Sequence, residues 1–176
     1  PTCSGAIAST ASICVLASNG VSTGRMSDLR EQFWQEQFSR SARSAVSENA
    51  VNIYTEHGWM RRRHVFEKAV DRLLESGAMR PCSKALDIGC GSGAYARSLA
   101  RMGFTDITGM DLCAEMLVCA SGADSSGISW VRGNSLGLPF ADMSFDFVYS
   151  IGMIQLLTDL SPFAGECGRL LRPGGV

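Results

Sequence analysis

The chain has 176 residues, 45% of them hydrophobic and 19% charged, which is enough apolar material for one domain with its own core. Its formal net charge of -1 gives no long-range attraction toward phosphate backbones, so the composition argues against a nucleic-acid partner. No apolar run approaches the roughly 20 residues that a membrane-spanning helix needs. We therefore expect a cytoplasmic protein with no membrane span.

The seven cysteines follow neither a metal-binding nor a disulfide pattern. They include no C-x-x-C pair, and the two histidines, His57 and His64, are not close to any of them in sequence. An odd number of cysteines without regular spacing is typical of reduced, mostly buried thiols. We predict no metal site.

Residues 1–26 differ in composition from the rest of the chain. Residues 1–24 carry no charged side chain and are rich in Ser, Ala, Thr and Gly. Such a segment buries too little apolar surface to offset the entropy of ordering, which predicts a disordered or non-native leader, with Met26 as the natural start. The alternative is a transit peptide that directs import into an organelle, because transit peptides are also poor in acids.

Residues 27–80 predict two helices. Ser27 is suited to cap the first helix, whose interrupted apolar stripe consists of Phe33, Trp34, Phe38 and Val46. The second helix is predicted from about Trp59 to Ser76, with Gly77 as its C-terminal stop. We interpret residues 61–64, Arg-Arg-Arg-His, as a solvated basic face, with an acceptor-recognition patch as the alternative.

After Pro81, short apolar runs alternate with helical segments. The predicted strands are Ala85–Ile88, Ile107–Met110 followed by Asp111, Ile128–Arg132 and Phe145–Ser150. The predicted helices are Ala94–Met102, Cys113–Ala120 and Pro162–Leu171. Strands that alternate with helices pair in parallel through right-handed crossovers, which predicts a doubly wound, mainly parallel α/β sheet preceded by the N-terminal helices.

A glycine-rich turn, Asp87-Ile88-Gly89-Cys90-Gly91-Ser92-Gly93-Ala94, follows the first of these strands. Its alternate glycines allow a tight bend and let a ligand lie against the backbone, and the next helix begins with unpaired N–H groups. Gly89, Gly91 and Ala94 also match the spacing of dinucleotide-binding proteins. Asp111 suits a ribose in either type of cofactor, so a nicotinamide-dependent oxidoreductase stays open at this point.

Three features separate the two types of cofactor. Asp87 precedes the first glycine by two residues, residues 131–140 read Val-Arg-Gly-Asn-Ser-Leu-Gly-Leu-Pro-Phe before Ser144-Phe145-Asp146, and residues 166–175 read Glu-Cys-Gly-Arg-Leu-Leu-Arg-Pro-Gly-Gly. Together with the glycine turn, these segments closely resemble the class I, Rossmann-like, S-adenosylmethionine-dependent methyltransferases, in particular the small-molecule branch called type 11. The resemblance extends from about Lys84 to Gly175.

The resemblance implies S-adenosyl-L-methionine as the cofactor and assigns it a set of contacts. The glycines of the turn should line the methionine half, with Asp87 and the backbone carbonyl of Ser150 at its ammonium group. Asp111 should accept both ribose hydroxyls, and Leu112 should pack on the adenine face. Asn134 and Ser135 should contact the adenine edge, although the family more often has Asp at the first position. The complete predicted set is Asp87, Gly89, Cys90, Gly91, Gly93, Asp111, Leu112, Asn134, Ser135 and Ser150.

The resemblance also implies a small-molecule methyl acceptor and a lid formed by residues 27–80. It assigns no catalytic residue, because Gln155 lies where related enzymes often have a histidine, and Tyr54 and His57 are only candidates from the lid. A non-catalytic methyltransferase-like binding protein is therefore a further alternative. Residues 81–176 should contain the first four of the family's seven strands, so we expect a truncated fold whose fourth strand is an uncovered apolar edge.

Overall fold

The computed structural model describes residues 13–15, 26–44, 56–123 and 127–176. Its helices and strands are, in chain order, β1 (Ile13–Val15), α1 (Met26–Ser44), α2 (Glu56–Glu75), β2 (Ala85–Ile88), α3 (Ala94–Arg101), β3 (Ile107–Asp111), α4 (Ala114–Gly122), β4 (Ser129–Arg132), β5 (Phe147–Tyr149) and α5 (Ser161–Leu170). A short 3-10 helix, Ile154–Leu156, lies between β5 and α5.

The described strands form one parallel sheet in the order β1-β4-β3-β2-β5. The glycine turn follows β2, which pairs with β3 on one side and with β5 on the other. Asp87 on β2 stands opposite Gly109 on β3 and Tyr149 on β5. The carboxyl ends of these strands therefore meet at one edge of the sheet, which is where open α/β proteins bind their ligands. The predicted doubly wound, Rossmann-like α/β fold is confirmed.

Two hydrophobic clusters cover the two faces of the sheet, because successive residues of a strand point to opposite faces. Leu86 and Ile88 of β2 enter one cluster, together with Phe145 and with Leu170 of α5. Ala85 enters the other cluster, to which α2 and α3 contribute. The buried members of that second cluster include Phe66, Val70, Leu99, Phe104, Leu117, Trp130 and Phe147.

The element boundaries differ from the predicted ones by a few residues. α2 begins at Glu56, three residues before the predicted start at Trp59. β5 is shorter than the predicted Phe145–Ser150, because Phe145 pairs instead with Leu171 in an isolated parallel bridge. The hydrophobic pattern of a sequence predicts where a helix or strand lies, but local hydrogen bonds decide where it begins and ends.

Most of the predicted leader lies outside the described residues, as do Val46 and Tyr54. The exception is β1, which pairs in parallel with β4 so that Ile13 stands opposite Trp130 and Val15 opposite Arg132. The structure therefore has a strand at Ile13–Val15, and the predicted disordered or non-native leader stays a prediction. The strand β4 would otherwise present unpaired backbone groups at the sheet edge, and a run containing Ile and Val has the β-propensity to pair with them.

The prediction that the fourth strand of the βα region is an uncovered apolar edge is wrong. Phe145 is 1% exposed and Phe147 is 6% exposed, because their side chains enter the clusters on the faces of the sheet rather than its edge. On the edge itself, Val148 N donates to the Val176 carbonyl at 2.9 Å, and Val176 N donates to the Asp146 carbonyl at 3.0 Å. The residues after α5 therefore cover the β5 backbone.

Among the described residues, no helix combines the length and the apolar character needed to cross a bilayer. Five cysteines are free thiols: Cys90 and Cys113 are buried, Cys119 and Cys167 are half-buried, and Cys82 is exposed. Within the same residues, no cluster of His, Cys, Asp and Glu could hold a metal ion.

Close packing around Trp130 makes one strand glycine essential for the core. A Cβ at Gly109 on β3 would overlap the Trp130 indole and lie 3.2 Å from the Cys90 sulfur. We expect Gly109→Ala to lower the free energy of unfolding by about 1–3 kcal/mol, the usual cost of overpacking, measured by urea denaturation.

The matched control for this prediction is Gly122→Ala at the end of α4. A Cβ at Gly122 meets no described heavy atom within 4 Å, and Ala favours helix over Gly, so this variant should be as stable as the parent or slightly more stable. Equal unfolding midpoints for Gly109→Ala and the parent would show that the Trp130 ring can move aside.

Candidate cofactor and acceptor site

The glycine turn bends back over the end of β3. Gly89 N and Cys90 N both donate to the Met110 carbonyl, at 2.8 and 2.9 Å, so the turn is fastened to the neighbouring strand. Gly91 has a φ of +54°, in the left-handed region that a residue with a Cβ rarely adopts. Within the described part of the chain, a Cβ on Gly91 would have no heavy atom within 4 Å. Gly91 is therefore required for its backbone conformation, and the space beside it is open.

Asp111 connects this turn to the segment after β3. Its Oδ2 accepts a hydrogen bond from Gly91 N at 2.8 Å, and its Oδ1 accepts one from Cys113 N at 2.9 Å. Burial raises the pKa of the Asp111 carboxyl, while the backbone N–H groups of Cys113, Gly91 and Leu112 act in the opposite direction. The predicted juxtaposition of the turn and this carboxylate is present in the structure.

A cavity of about 530 Å³ lies over the turn, in the size range of small-molecule sites. Seven of the ten predicted cofactor residues line it, namely Gly89, Cys90, Gly91, Asp111, Leu112, Asn134 and Ser135. The other three, Asp87, Gly93 and Ser150, lie next to the turn but are not among the lining residues. The structure therefore brings most of the predicted set to one place and puts the rest immediately behind it.

Asp87 is buried beneath the turn with only 1% of its surface exposed. Among the described residues, neither its Oδ2 nor the Tyr149 hydroxyl makes a hydrogen bond of good geometry, although Asp87 and Tyr149 stand opposite each other in the register of β2 and β5. Burial is the largest cause that raises the pKa of Asp87 from 3.8 to about 7; the negative charge of Asp111 acts in the same direction, and the nearby Tyr149 hydroxyl and the Ala96 N–H act against it. An acid in this position is half protonated near neutral pH, and its unpartnered oxygen remains available to a donor.

Gly93 and Ser150 have structural contacts in this arrangement. A Cβ on Gly93 would overlap the Trp130 ring, so this glycine lets α3 pack closely on the sheet. The Ser150 hydroxyl donates to the Ile88 carbonyl at 2.8 Å and so connects the end of β5 to the turn. The predicted contact of the Ser150 backbone carbonyl with a cofactor ammonium stays a prediction.

The loop that carries Asn134 and Ser135 is held by contacts that the sequence did not predict. Leu138 N donates to Glu166 Oε2 at 2.7 Å, and the Arg169 guanidinium donates to the carbonyls of Leu138 and Phe140 at 3.0 and 2.8 Å. Arg169 also pairs with Glu166 at 2.7 Å, and hydrogen bonds from Arg169 lower the pKa of Glu166 to about 2. No signal in the sequence predicts these contacts, because Glu166 and Arg169 lie about thirty residues from the loop.

The Asn134 side chain also forms a hydrogen bond within the loop. Asn134 Oδ1 accepts a hydrogen bond from Leu136 N at 2.9 Å, which closes a turn within the loop. Asn134 and Ser135 both line the cavity. The predicted contact with an adenine edge is compatible with this position and stays a prediction.

The N-terminal helices supply cavity residues that sequence analysis did not assign to a binding site. Trp34, Gln35 and Phe38 on α1 and Trp59 on α2 line the same cavity as the glycine turn. Helical periodicity indicates which residues face inward, but it does not indicate which neighbour they meet. The assignment of these four side chains to the site therefore needed the tertiary structure.

The candidate catalytic residues do not converge on this cavity. Of the two candidates, His57 is exposed and is not among the described lining residues, and Tyr54 lies outside the described residues. Gln155, at the position where related enzymes often have a histidine, is also exposed and does not line the cavity. The geometry of the described residues thus supports binding and alignment of ligands, without a histidine base at the cavity.

The raised pKa of Asp87 predicts a specific pH dependence of stability. Because the pKa of Asp87 in the folded state lies above its ordinary value of 3.8, protonation of Asp87 stabilises the folded protein. This stabilisation is complete below about pH 3.8 and is lost as the pH rises through 7. We expect the free energy of unfolding of Asp87→Asn to depend less on pH than that of the parent. At pH 8 the variant should be more stable than the parent by on the order of 2 kcal/mol, since one pKa unit corresponds to about 1.4 kcal/mol.

Urea unfolding at several values between about pH 4 and pH 8 measures this effect. The control is Asp71→Asn, an exposed position on α2, which should keep the pH dependence of the parent. If Asp87→Asn loses stability with pH as steeply as the parent does, the titrating group is a different residue.

Comparison with known proteins connects this geometry to a family. Residues 86–176, just over half of the chain, match the methyltransferase domain family. The match begins within β2 and contains the glycine turn, Asp111, the Asn134 loop and α5. The cofactor residues predicted from the sequence therefore all lie inside the matched segment.

Three curated relatives illustrate the range of proteins that share this segment. The chain is 32% identical over 145 residues to a sterol 24-C-methyltransferase of Gibberella zeae, which covers 72% of the chain and 38% of the relative. It is 31% identical over 150 residues to a malonyl-[acyl-carrier protein] O-methyltransferase of Erwinia billingiae, with 85% and 53% covered. It is 36% identical over 111 residues to an 18S rRNA (guanine(1575)-N(7))-methyltransferase of Saccharomyces cerevisiae, with 63% and 40% covered. The chain thus spans between 38% and 53% of the length of these relatives.

Solved structures confirm the fold. The crystal structure of the cyclase SpnF superimposes with a TM-score of 0.64 at 20% identity, covering 86% of this chain and 58% of that one. At this identity the likeness concerns the fold alone. The family match over residues 86–176 decides between S-adenosyl-L-methionine and a nicotinamide cofactor. The chain belongs to the methyltransferase domain family, whose methyl donor is S-adenosyl-L-methionine.

Proposed function

We propose that the protein binds S-adenosyl-L-methionine in the cavity over the glycine turn and transfers the methyl group to a small-molecule acceptor. The observation that carries the proposal is the position of Asp111. Its carboxylate lies at the cavity wall, 2.8 Å from Gly91 N, where the ends of β2 and β3 meet. A carboxylate beside a glycine turn suits a ligand with a ribose next to a charged, flexible group.

The cavity residues fit such a cofactor in shape and in chemistry. Gly89 and Gly91 leave room for the methionine part against the backbone, and Asp111 offers acceptor oxygens to the ribose. Leu112 supplies an apolar surface for the adenine, with Asn134 and Ser135 near its edge. The unpartnered Oδ2 of Asp87 and the Ser150 carbonyl are the proposed acceptors for the ammonium group.

When bound, S-adenosyl-L-methionine supplies a methyl group on a positively charged sulfur, which is already a good leaving group. The residues of the chain then have to align the acceptor and exclude water. The apolar residues around the cavity, including Trp34, Phe38, Trp59 and Met153, are suited to both tasks. A protein that only aligns the acceptor and excludes water needs no histidine base, which agrees with the lack of a histidine at the described cavity wall.

The charge of the cavity supports a small molecule rather than a nucleic acid as the acceptor. Among the described lining residues there is no Lys, Arg or His, and the two charged ones, Asp111 and Asp159, are negative. A phosphate backbone at this site would meet carboxylates without counterions. The similarity to an rRNA methyltransferase is thus not accompanied by a basic surface among the described lining residues of the cavity.

Substitution of Asp111 tests the cofactor site directly. We expect Asp111→Ala to weaken binding of S-adenosylhomocysteine by about 1.5–3 kcal/mol, the usual contribution of charge-assisted hydrogen bonds, measured by isothermal titration calorimetry. Asp111→Asn keeps an acceptor oxygen and should lose less. The control is Asp106→Ala, an exposed carboxylate just before the opposite end of β3, which should bind like the parent. Equal affinity of Asp111→Ala and the parent would remove Asp111 from the site.

The same titration separates the proposed cofactor from a dinucleotide. NADH should neither bind with comparable affinity nor displace S-adenosylhomocysteine. If NADH binds and S-adenosylhomocysteine does not, the cavity belongs to an oxidoreductase and the proposed function is wrong.

A further inference from the structure

Four aromatic side chains line the cavity in two contacting pairs, which we together call the aromatic wall: Trp34 with Phe38, and Trp59 with Tyr95. The Trp34 and Phe38 rings stack with centroids 5.9 Å apart, and Trp59 meets Tyr95 edge-to-face at 5.0 Å. Such pairs present rigid apolar surface at a low cost in conformational entropy. The wall is therefore a suitable contact surface for a second ligand beside the cofactor.

Most of the aromatic wall lies outside the segment that matches the family. Trp34 and Phe38 belong to α1 and Trp59 to α2, whereas the matched segment begins at residue 86. All the residues proposed to hold the cofactor lie inside that segment. The part of the cavity formed by α1 and α2 supplies contacts beyond that cofactor set, which makes it the candidate contact surface for the acceptor.

Polar contacts hold α1 in place beside the cavity. The Ser39 hydroxyl donates to Glu115 Oε2 at 2.9 Å and lies 3.3 Å from the Cys113 sulfur, and Arg43 pairs with Glu115 at 3.7 Å. The Cys119 thiol donates to the Ala42 carbonyl at 3.9 Å. These contacts join α1 to α4 and its N-cap Cys113, so Trp34 and Phe38 are positioned before a ligand arrives.

The charge and polarity of the lining restrict which ligand can bind there. Among the described lining residues, Asp111 and Asp159 are the charged groups, and Asp111 is already bonded to Gly91 N and Cys113 N. Apart from the aromatic wall, the apolar side chains of the lining include Met116, Leu136, Ile151, Met153, Leu156 and Leu157. An anionic ligand would find no cationic side chain among the described lining residues, whereas an apolar one gains from burial.

Exposed apolar residues continue this lining toward the solvent. Leu136 lines the cavity and is 44% exposed, and Ile154 and Leu160, which flank lining residues in sequence, are 44% and 50% exposed. Exposed apolar groups beside an apolar cavity are typical of ligand-binding sites rather than of ordinary surface.

We infer that the aromatic wall is the acceptor subsite, that it takes an uncharged, largely apolar small molecule, and that Trp34 determines specificity there. This inference rests on the proposed function and narrows it, because it names the chemical class of the acceptor. It concerns binding and alignment of the acceptor next to the methyl donor, with no additional covalent step.

Two probes that differ by one charged group test the inference. N-phenyl-1-naphthylamine is uncharged, and 8-anilino-1-naphthalenesulfonate carries the same rings with a sulfonate. Both become fluorescent in apolar sites, so each is titrated into the full chain saturated with S-adenosylhomocysteine. The uncharged probe should bind at least about tenfold more tightly than the sulfonate, which corresponds to about 1.4 kcal/mol.

Matched variants locate the probe. Trp34→Ala should weaken the uncharged probe about tenfold through lost apolar contact, whereas Phe33→Ala, one residue earlier on α1 and 52% exposed, should leave its affinity unchanged. Asp159→Asn keeps an acceptor for the Ser161 N–H, which Asp159 binds at 2.9 Å, and removes the charge. It should tighten the sulfonate and leave the uncharged probe unaffected. Circular dichroism of each variant checks that α1 still folds.

Different outcomes would contradict the acceptor class, the location of the subsite and the proposed function. If the sulfonate binds as well as the uncharged probe, the inferred acceptor class is wrong. If S-adenosylhomocysteine displaces the probe, or Trp34→Ala matches Phe33→Ala in a folded protein, the aromatic wall is not the acceptor subsite. If S-adenosylhomocysteine itself does not bind, the proposed function fails and the inference fails with it.

Discussion

The hydrogen bond between the Asp111 carboxylate and Gly91 N is the interaction on which the site depends. It joins the end of β3 to the turn after β2, and the second bond of the same carboxylate, to Cys113 N, fixes the start of α4. One side chain thereby sets the relative positions of three segments that line the cavity. A charged acceptor can do this because each backbone N–H at these ends would otherwise lack a partner within its own helix or strand.

Beneath the turn, the protein tolerates an arrangement that works against stability. Asp87 and Tyr149 place two polar atoms in the core without partners among the described residues, and burial raises the pKa of both groups. Unsatisfied buried groups are uncommon in cores and are concentrated at functional sites. The location of this pair directly behind the glycine turn agrees with the proposed contact between Asp87 and the cofactor ammonium, which would provide the missing donor.

The cavity is assembled from two parts of the chain with different relations to known proteins. The matched segment, residues 86–176, contains the turn, the acid and the Asn134 loop, whereas α1 and α2 bring most of the aromatic wall. The relatives are named for methylation of a sterol, of malonyl-[acyl-carrier protein] and of 18S rRNA. One cofactor site can serve such different acceptors, since the cofactor demands the same contacts whatever the acceptor.

The sequence by itself determined the βα alternation, the glycine turn, and the position of Asp111 at the end of a strand, because these follow from local periodicity and from backbone conformations that only glycine adopts readily. It also identified the family, and seven of its ten proposed cofactor residues line one cavity. Only the tertiary structure decided that Ile13–Val15 pair with β4 and that Val176, after α5, forms hydrogen bonds along β5. It also decided that Arg169 and Glu166 hold the Asn134 loop, and that Trp34, Phe38 and Trp59 line the same cavity as the turn. Each of these contacts joins residues far apart in the chain, and periodicity indicates the buried side of a helix or strand without indicating its partner.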